Sequence, residues 1–246
     1  MARLPRLSLP AVVHYVLQRG HNAGAIVRDA IDTEHLLQTL REAALLHGVV
    51  LHAYAVLETE LRVLATPDSA AGASLMMQAV GRRYAARFNR RHQRSGALWD
   101  GRFRSALIEP GAPTLLALRQ IDGLVPAVEA TETDEPGPHA PEASTASTLV
   151  RDLFVRSSGP HRIGGRRDVA LVDPAEYWQL GNTPFDRESH YRRLLAEPID
   201  SAAAAALMQA VQGAWAWGSE AFLAGLASDA ARPVAPRPRG RPRRPV

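Results

Sequence analysis

The chain has 246 residues, 46% of them hydrophobic, with a formal net charge of +4 and a sequence pI of about 10.1. It contains no cysteine, which excludes disulfides, thiolate metal sites and cysteine nucleophiles. No run of about 18 apolar residues is present, so we predict a cytoplasmic protein without a membrane partner.

Hydrophobic periodicity over the first half predicts an alternation of strands and helices. Strands are expected at residues 12–18, 49–57, 61–66 and 105–109. The first helix is expected to begin with Asp32 or Thr33 as its cap and to end at Gly48, and further helices are expected at residues 74–92 and 114–122. The short spacer at 58–60 indicates a hairpin. This order predicts an α+β fold with an antiparallel sheet and packed helices.

Composition changes sharply in the second half of the chain. Residues 127–148 are acidic, proline-rich and free of arginine, which predicts a flexible acidic linker after a first domain at 1–126. A small helical region is expected at 149–231, because cap signals occur at Asp173-Pro174, Thr183-Pro184, Asp200 and Gly218-Ser219-Glu220. Residues 232–246 carry six arginines and no acid, which predicts a basic disordered tail.

The positive charge is concentrated in one segment. All 29 basic residues of the chain are arginines, and residues 81–105 hold eight of them beside a single acid, Asp100. A GC-rich genome also favours arginine, and a solvated helix face over core aromatics has a similar composition. Seven net positive charges in these 25 residues, interleaved with Tyr84, Phe88, Trp99 and Phe103, favour nucleic-acid binding instead. The predicted DNA-binding residues are Arg82, Arg83, Arg87, Arg90, Arg91, Arg94, Arg102, Arg104, Arg239 and Arg241.

Two segments carry a specific pattern. Gln18-Arg19-Gly20-His21-Asn22 follows the first predicted strand, and a longer run extends from Asn89 to Ser105 through Gly96-Ala97-Leu98-Trp99-Asp100-Gly101. Both resemble the REP-associated tyrosine transposases of the HUH single-tyrosine (IS200-like) family. The resemblance covers about residues 2–126 and resumes at 218–222 and 238–242. It implies a ferredoxin-like fold, often a homodimer, that acts on single-stranded or hairpin DNA.

The residues that the family uses for transposition are missing. Its members hold Mg²⁺ or Mn²⁺ with two histidines at i and i+2 of a strand, and a helix tyrosine attacks the DNA. With Tyr54 and Thr66-Pro67 as alignment anchors, the histidine positions fall on Glu60 and Arg62. The tyrosine position falls on Gln120. We therefore expect no catalytic residue, no metal site and no cofactor, since the fixed charge of Arg62 repels a cation.

Three functions follow from the sequence, and the leading one is a transposase-family protein that binds DNA without cleaving it. An active transposase or nuclease with a relocated site is the second, and His52 and Tyr54, predicted on one face of a strand, are its candidates. The third is a decaying remnant that binds no DNA. Arg62 is open to two interpretations, a replacement for the metal's charge against a phosphate or a surface ion pair with Glu60 or Glu58.

The tail contains a second short motif. Pro238-Arg239-Gly240-Arg241-Pro242 resembles the core of an AT-hook, in which glycine lets the backbone approach the groove floor and proline keeps the chain extended. Arginines on either side enter the narrow minor groove of A·T-rich DNA. A solubilising tail, or a tail that pairs with the acidic linker, has the same composition.

Overall fold

The structure is a computed structural model that describes residues 5–125 and 154–236. Within these ranges six strands form one sheet in the order β5-β2-β3-β1-β4-β6. The strands are β1 (Val13–Arg19), β2 (Val49–Val56), β3 (Glu60–Pro67), β4 (Arg104–Ile108), β5 (Arg156–Ser157) and β6 (Ala216–Trp217). Neighbouring strands run antiparallel except β4 and β6, which are parallel.

The same residues form eight helices besides a short 3-10 turn at His21–Ala23. The helices are α1 (Ala30–Leu46), α2 (Gly72–Arg91), α3 (Ala112–Asp122), α4 (Gly159–Arg162), α5 (Ala175–Trp178), α6 (Pro184–Ala196), α7 (Ser201–Gly213) and α8 (Glu220–Asp229). The predicted α+β class is confirmed, and the central order β2-β3-β1-β4 is the ferredoxin-like arrangement. The predicted linker at 127–148 lies outside the described residues.

The two faces of the sheet carry separate hydrophobic cores. Successive strand residues point to opposite faces, so Val16 packs with α1 and α2 while Tyr15 packs with the other layer. That second layer consists of α3, α5, α6 and α7, with Ile121, Tyr191 and Val211 at its centre. The second half of the chain therefore covers the sheet face that α1 and α2 leave open.

The second half also extends the sheet. β5 pairs with β2 at one edge, and β6 pairs with β4 at the other edge. Each of these strands has only two residues, which is too short for an alternating hydrophobic pattern, and neither was predicted. Among the described residues no single helix is long and apolar enough to span a membrane; only α6 and α7 taken together pass such a test, and they are bent by 93°.

Side-chain caps fix the starts of four of the eight helices in the described residues. The predicted caps Thr183, Asp200 and Ser219 are confirmed, the first as a capping box with Asp186. The prediction for α1 was wrong, because Asp29 accepts the backbone N–H of Asp32 at 3.0 Å and the helix begins earlier. Asp32 and Thr33 are buried within the helix.

The cap prediction at Asp173 was also wrong. Pro174 occupies the N-cap position of α5, and the carboxylate of Asp173 turns towards His161 and Arg162 instead. Burial raises the pKa of Asp173, but the hydrogen bond from His161 and the charge of Arg162 outweigh burial and lower it. Asp173 is therefore an ion-pair partner of a buried arginine.

A fully buried arginine joins the two halves of the chain. Arg162 has no exposed surface, and its Nη1 donates to Asp122 at 2.9 Å, at the end of α3. Its Nη2 donates to the carbonyl of His52 on β2, and its Nε lies 3.0 Å from Asp173. Asp122 also accepts from Tyr191 at 2.6 Å. The guanidinium therefore connects β2 to α3, and the carboxylate of Asp122 extends the network to α6.

We predict that Arg162→Met lowers the free energy of unfolding by about 3 to 5 kcal/mol, because it leaves Asp122 buried without its countercharge. Chemical denaturation of the full chain measures this. Arg166→Met, at an exposed arginine of the following loop, is the control and should change stability by less than about 0.5 kcal/mol. Equal effects of the two substitutions would show that Arg162 does not stabilise this layer.

The same network predicts a pH dependence. Because the pKa of Asp173 is lowered in the folded state, its contribution to stability is complete above the unfolded pKa of about 3.9 and is lost as pH falls through the lower folded pKa. Denaturation of the unmodified chain between pH 5 and acid should show this loss, and Asp173→Asn should make the loss smaller. An unchanged acid limb in Asp173→Asn would contradict the assignment.

Candidate nucleic-acid interface

The residues at the two predicted histidine positions form an ion-pair cluster. Glu60 and Arg62 lie on one face of β3, and Arg62 Nε donates to Glu60 Oε1 at 2.7 Å. The other carboxylate oxygen accepts from Arg19 Nε at 3.2 Å. Both oxygens of Glu60 are thus held by guanidinium groups, whose charges repel a divalent cation. Glu60 and Arg62 therefore do not fit the Mg²⁺ or Mn²⁺ that the resembling family binds.

Arg62 is enclosed by the second layer of helices. Its side chain is 14% exposed, its Nη1 donates to the Tyr15 hydroxyl at 3.3 Å, and the same atom lies 3.7 Å from the sulfur of Met208 on α7. Burial raises the pKa of Tyr15 to about 12, against the opposing charge of Arg62. The predicted ion pair of Arg62 with Glu60 is present, but it is largely enclosed rather than at the surface, since the two side chains are only 14% and 11% exposed.

Gln120 belongs to a different part of the second layer. It lies on α3 beside a cavity of about 310 Å³ lined also by Arg119, Leu124 and Leu195. Its buried Oε1 has no hydrogen-bond partner among the described residues. The hydrogen bonds of Glu60 and Arg62 go elsewhere. The structure thus pairs Glu60 with Arg62 but does not join Gln120 to them by a hydrogen bond.

The two candidates for a relocated site have other partners. The ring nitrogens of His52 bond to the carbonyl of Val172 at 2.7 Å and the hydroxyl of Thr66 at 2.9 Å. The Tyr54 hydroxyl donates to Asp168 at 2.8 Å, and burial raises the pKa of Tyr54, which disfavours the phenolate. A register shift between Leu51 and Ala53 interrupts the alternation expected there. Within residues 5–125 and 154–236, no three or more His, Asp or Glu side chains lie close enough together to hold a metal ion.

Several predicted DNA-binding arginines of α2 bond to α1. Arg83 pairs with Glu42 at 2.5 Å, and Arg87 hydrogen-bonds His35. Arg91 pairs with Asp29 at 2.7 Å and with Asp32 at 2.6 Å, next to the N-terminus of α1. Arg94 lies over the Phe88 ring and donates to Asn89. The charges of Arg83 and Arg91 are therefore compensated by carboxylates, whereas Arg87 and Arg94 bond to no carboxylate of the described residues.

Other predicted arginines lack such partners. Arg82, Arg90 and Arg102 are exposed and form no ion pair with any residue of the described ranges. Arg104 is exposed too, and its Nη1 donates to the carbonyl of Gln212 at 2.6 Å rather than to a carboxylate. The predicted set is thus divided between arginines with and without acidic partners. Arg239 and Arg241 lie outside the described residues.

Arg82, Arg102 and Arg104, three of these exposed arginines, line two adjoining cavities. A cavity of about 390 Å³ is lined by Arg82, Trp99 and Arg102 together with Gln18 and Arg6. A second cavity of about 190 Å³ shares Arg6, Arg102 and Phe103 with the first and adds Arg104 and Arg232. No carboxylate lines either cavity within the described ranges. We call this continuous surface the arginine groove.

The loop between α2 and β4 gives the groove its shape. Trp99 Nε1 donates to the carbonyl of Gly81 on α2 at 3.1 Å, which fixes the indole at the groove wall. Gly101 has a φ of +64°, a left-handed conformation that glycine adopts without a steric penalty. Phe103 then turns into the core, and the guanidinium of Arg6 lies 3.9 Å from the centre of its ring. The loop thereby leaves Arg102 exposed between two aromatic anchors.

Comparison with known proteins adds two structures of low similarity. No protein-family model and no curated protein matches the chain. A REP-associated tyrosine transposase bound to a REP hairpin aligns with 50% of this chain and 71% of its own, at 13% identity and a TM-score of 0.39. A protein from Deinococcus radiodurans described as a transposase aligns with 44% of this chain and 88% of its own, at 17% identity and a TM-score of 0.35. With TM-scores this low, the functional interpretation rests on the residues and contacts of this chain.

Proposed function

We propose that this chain binds DNA through the arginine groove and neither cuts nor joins it. The observation that carries the proposal is the gathering of Arg82, Arg102 and Arg104 along one surface with no carboxylate among its described lining. Phosphate neutralisation by such cations supplies most of the affinity of proteins for nucleic acids. These arginines require no breakage of internal ion pairs before they contact a phosphate.

The aromatic wall favours a strand with accessible bases. Trp99 is partly exposed beside the larger cavity, and its ring nitrogen is already satisfied by Gly81. A ring held in this way offers a face for base stacking, which contributes about 1 to 3 kcal/mol per base. Together with the sequence resemblance, this supports single-stranded or hairpin DNA as the ligand, as predicted from the sequence.

The proposed absence of DNA cleavage and joining is supported by the residues at the positions where the resembling family has its catalytic side chains. Glu60 and Arg62 satisfy each other in a largely enclosed pair, and Arg62 also contacts Met208. Gln120 cannot form a covalent link to a phosphate. No observation favours a relocated site at His52 or Tyr54, whose polar atoms are held by Val172, Thr66 and Asp168. The homodimer, the cytoplasmic location and the minor-groove role of the tail stay predictions.

Loss of the groove charges should weaken binding more than loss of the paired charges. In the full chain, Arg82→Ala with Arg102→Ala should reduce affinity for a hairpin oligonucleotide and flatten the plot of log affinity against log salt by up to about two units. The matched control is Arg83→Ala with Arg91→Ala, which removes the same formal charge from side chains that already pair with Glu42, Asp29 and Asp32.

Fluorescence anisotropy at several salt concentrations measures both pairs of variants. A smaller effect in the control pair supports the groove as the interface. An equal or larger effect in the control pair would move the interface to the α1 side of α2, and unmeasurable binding by the unmodified chain would favour a remnant without DNA binding.

We also predict no covalent protein–DNA adduct in the presence of Mn²⁺. Even Glu60→His with Arg62→His and Gln120→Tyr should remain inactive, because the Arg62 position packs against Met208 of α7, which leaves little room there for a metal and a phosphate. A denaturing gel with labelled hairpin DNA separates an adduct from free strands. A metal-dependent slow band from the unmodified chain would refute the proposed absence of chemistry, and one from the triple variant alone would refute the argument from coverage.

A further inference from the structure

One arginine of the groove is both buried and uncompensated. Arg232 is 8% exposed, and burial lowers its pKa with no acidic group to oppose the effect. Its Nη2 donates to the carbonyl of Ala214, and its guanidinium lies 4.9 Å from the centre of the Trp215 ring. Its Nε is buried and has no hydrogen-bond partner among the described residues. No described carboxylate pairs with it.

Such an arrangement costs free energy in the isolated molecule. Burying a cation is expensive unless a counter-ion and hydrogen bonds replace its hydration. The end of α7 supplies part of the compensation, because the carbonyls of Gln212 and Ala214 accept from Arg104 and Arg232 and carry the negative end of the helix dipole. That partial charge, about half an electron, leaves most of the positive charge of two guanidinium groups without a counter-ion.

The remaining charge converges on the smaller cavity of the arginine groove. This cavity of about 190 Å³ is lined by Arg232, Arg102 and Arg104, and by Arg6, whose guanidinium lies over Phe103. These side chains come from the first, middle and last parts of the described chain. We call this cavity the Arg232 pocket.

We propose that the Arg232 pocket binds the terminal phosphate of the DNA strand that lies in the groove. An internal phosphodiester carries one negative charge, whereas a terminal phosphate carries about 1.5 to 2 near pH 7. Arg102, Arg104 and Arg232 supply three positive charges without a carboxylate among the described residues, which suits the more highly charged group. Its additional oxygen also provides an acceptor for a guanidinium fork.

This inference rests on the proposed function, since the pocket is one end of the DNA-binding groove. It adds that the protein distinguishes strands by the chemistry of their ends. A phosphorylated end seated among these arginines would fix the position of the strand relative to Trp99, which lies along the neighbouring cavity.

The test compares three oligonucleotides of one sequence, with a 5′-phosphate, a 3′-phosphate or hydroxyls at both ends. The full chain should bind one phosphorylated form at least about tenfold more tightly than the hydroxyl form. Arg104→Gln and Arg232→Met should each reduce that ratio towards one, while Arg83→Gln should leave it unchanged. Arg104→Gln is the more specific of the two variants. Arg104 is exposed, so its replacement should not disturb folding, and it lines only the smaller cavity.

Each result decides between separate claims. Binding with equal affinity for all three oligonucleotides would overturn the terminal-phosphate site and leave the groove proposal intact. No binding to any of them would overturn both. A ratio that survives Arg104→Gln in a variant with an unchanged unfolding curve would place the phosphate elsewhere and refute this assignment.

Discussion

An arginine cannot lose its proton at accessible pH, so every guanidinium in this chain must be paired, hydrated or buried at a cost. Since the chain contains no lysine, this constraint applies to all of its basic side chains. Arg162 meets it in the interior through Asp122 and Asp173, and by doing so holds the second helical layer against the sheet. Arg91 meets it at the surface through Asp29 and Asp32. Arg82 and Arg102 have no such partners in the described structure, which leaves their charge available to a ligand.

The same constraint explains the contacts at the two β3 positions where the sequence resemblance would place histidines. Arg62 on the central strand β3 is satisfied by Glu60 and the Tyr15 hydroxyl, and α7 closes over it through Met208. This turns a place where a metal and a phosphate would need access into part of a packed layer. The exposed charge lies instead at the loop that leads into β4. Access to phosphate and coverage of Arg62 are thus properties of two different parts of the molecule.

Local sequence signals predicted the long elements well, because α1 and α2 each bury one periodic face and the four central strands are short runs of mostly buried residues between two cores. Helix caps such as Thr183 and Asp200 were also predictable from the sequence, since their hydrogen-bond partners lie within three residues. The sequence did not show which arginines are free. Glu42 and Asp29 lie 41 and 62 residues from Arg83 and Arg91, and Arg232 reaches the groove only through the folding of the second half. The density of arginines in the sequence located the basic segment. The ion pairs that form in the folded chain determine which of those arginines have a carboxylate partner.

Hydrogen exchange of the full chain, with and without a hairpin oligonucleotide, tests the central claim most directly, namely that uncompensated arginines rather than paired ones meet the DNA. The account predicts slower exchange in the loop that carries Trp99 and Arg102, and in the segment from Ala214 to Trp217 beside Arg232. It predicts no change in α1, whose His35 and Glu42 bond to the arginines of α2. Protection confined to α1, with the loop before β4 unchanged, would contradict it.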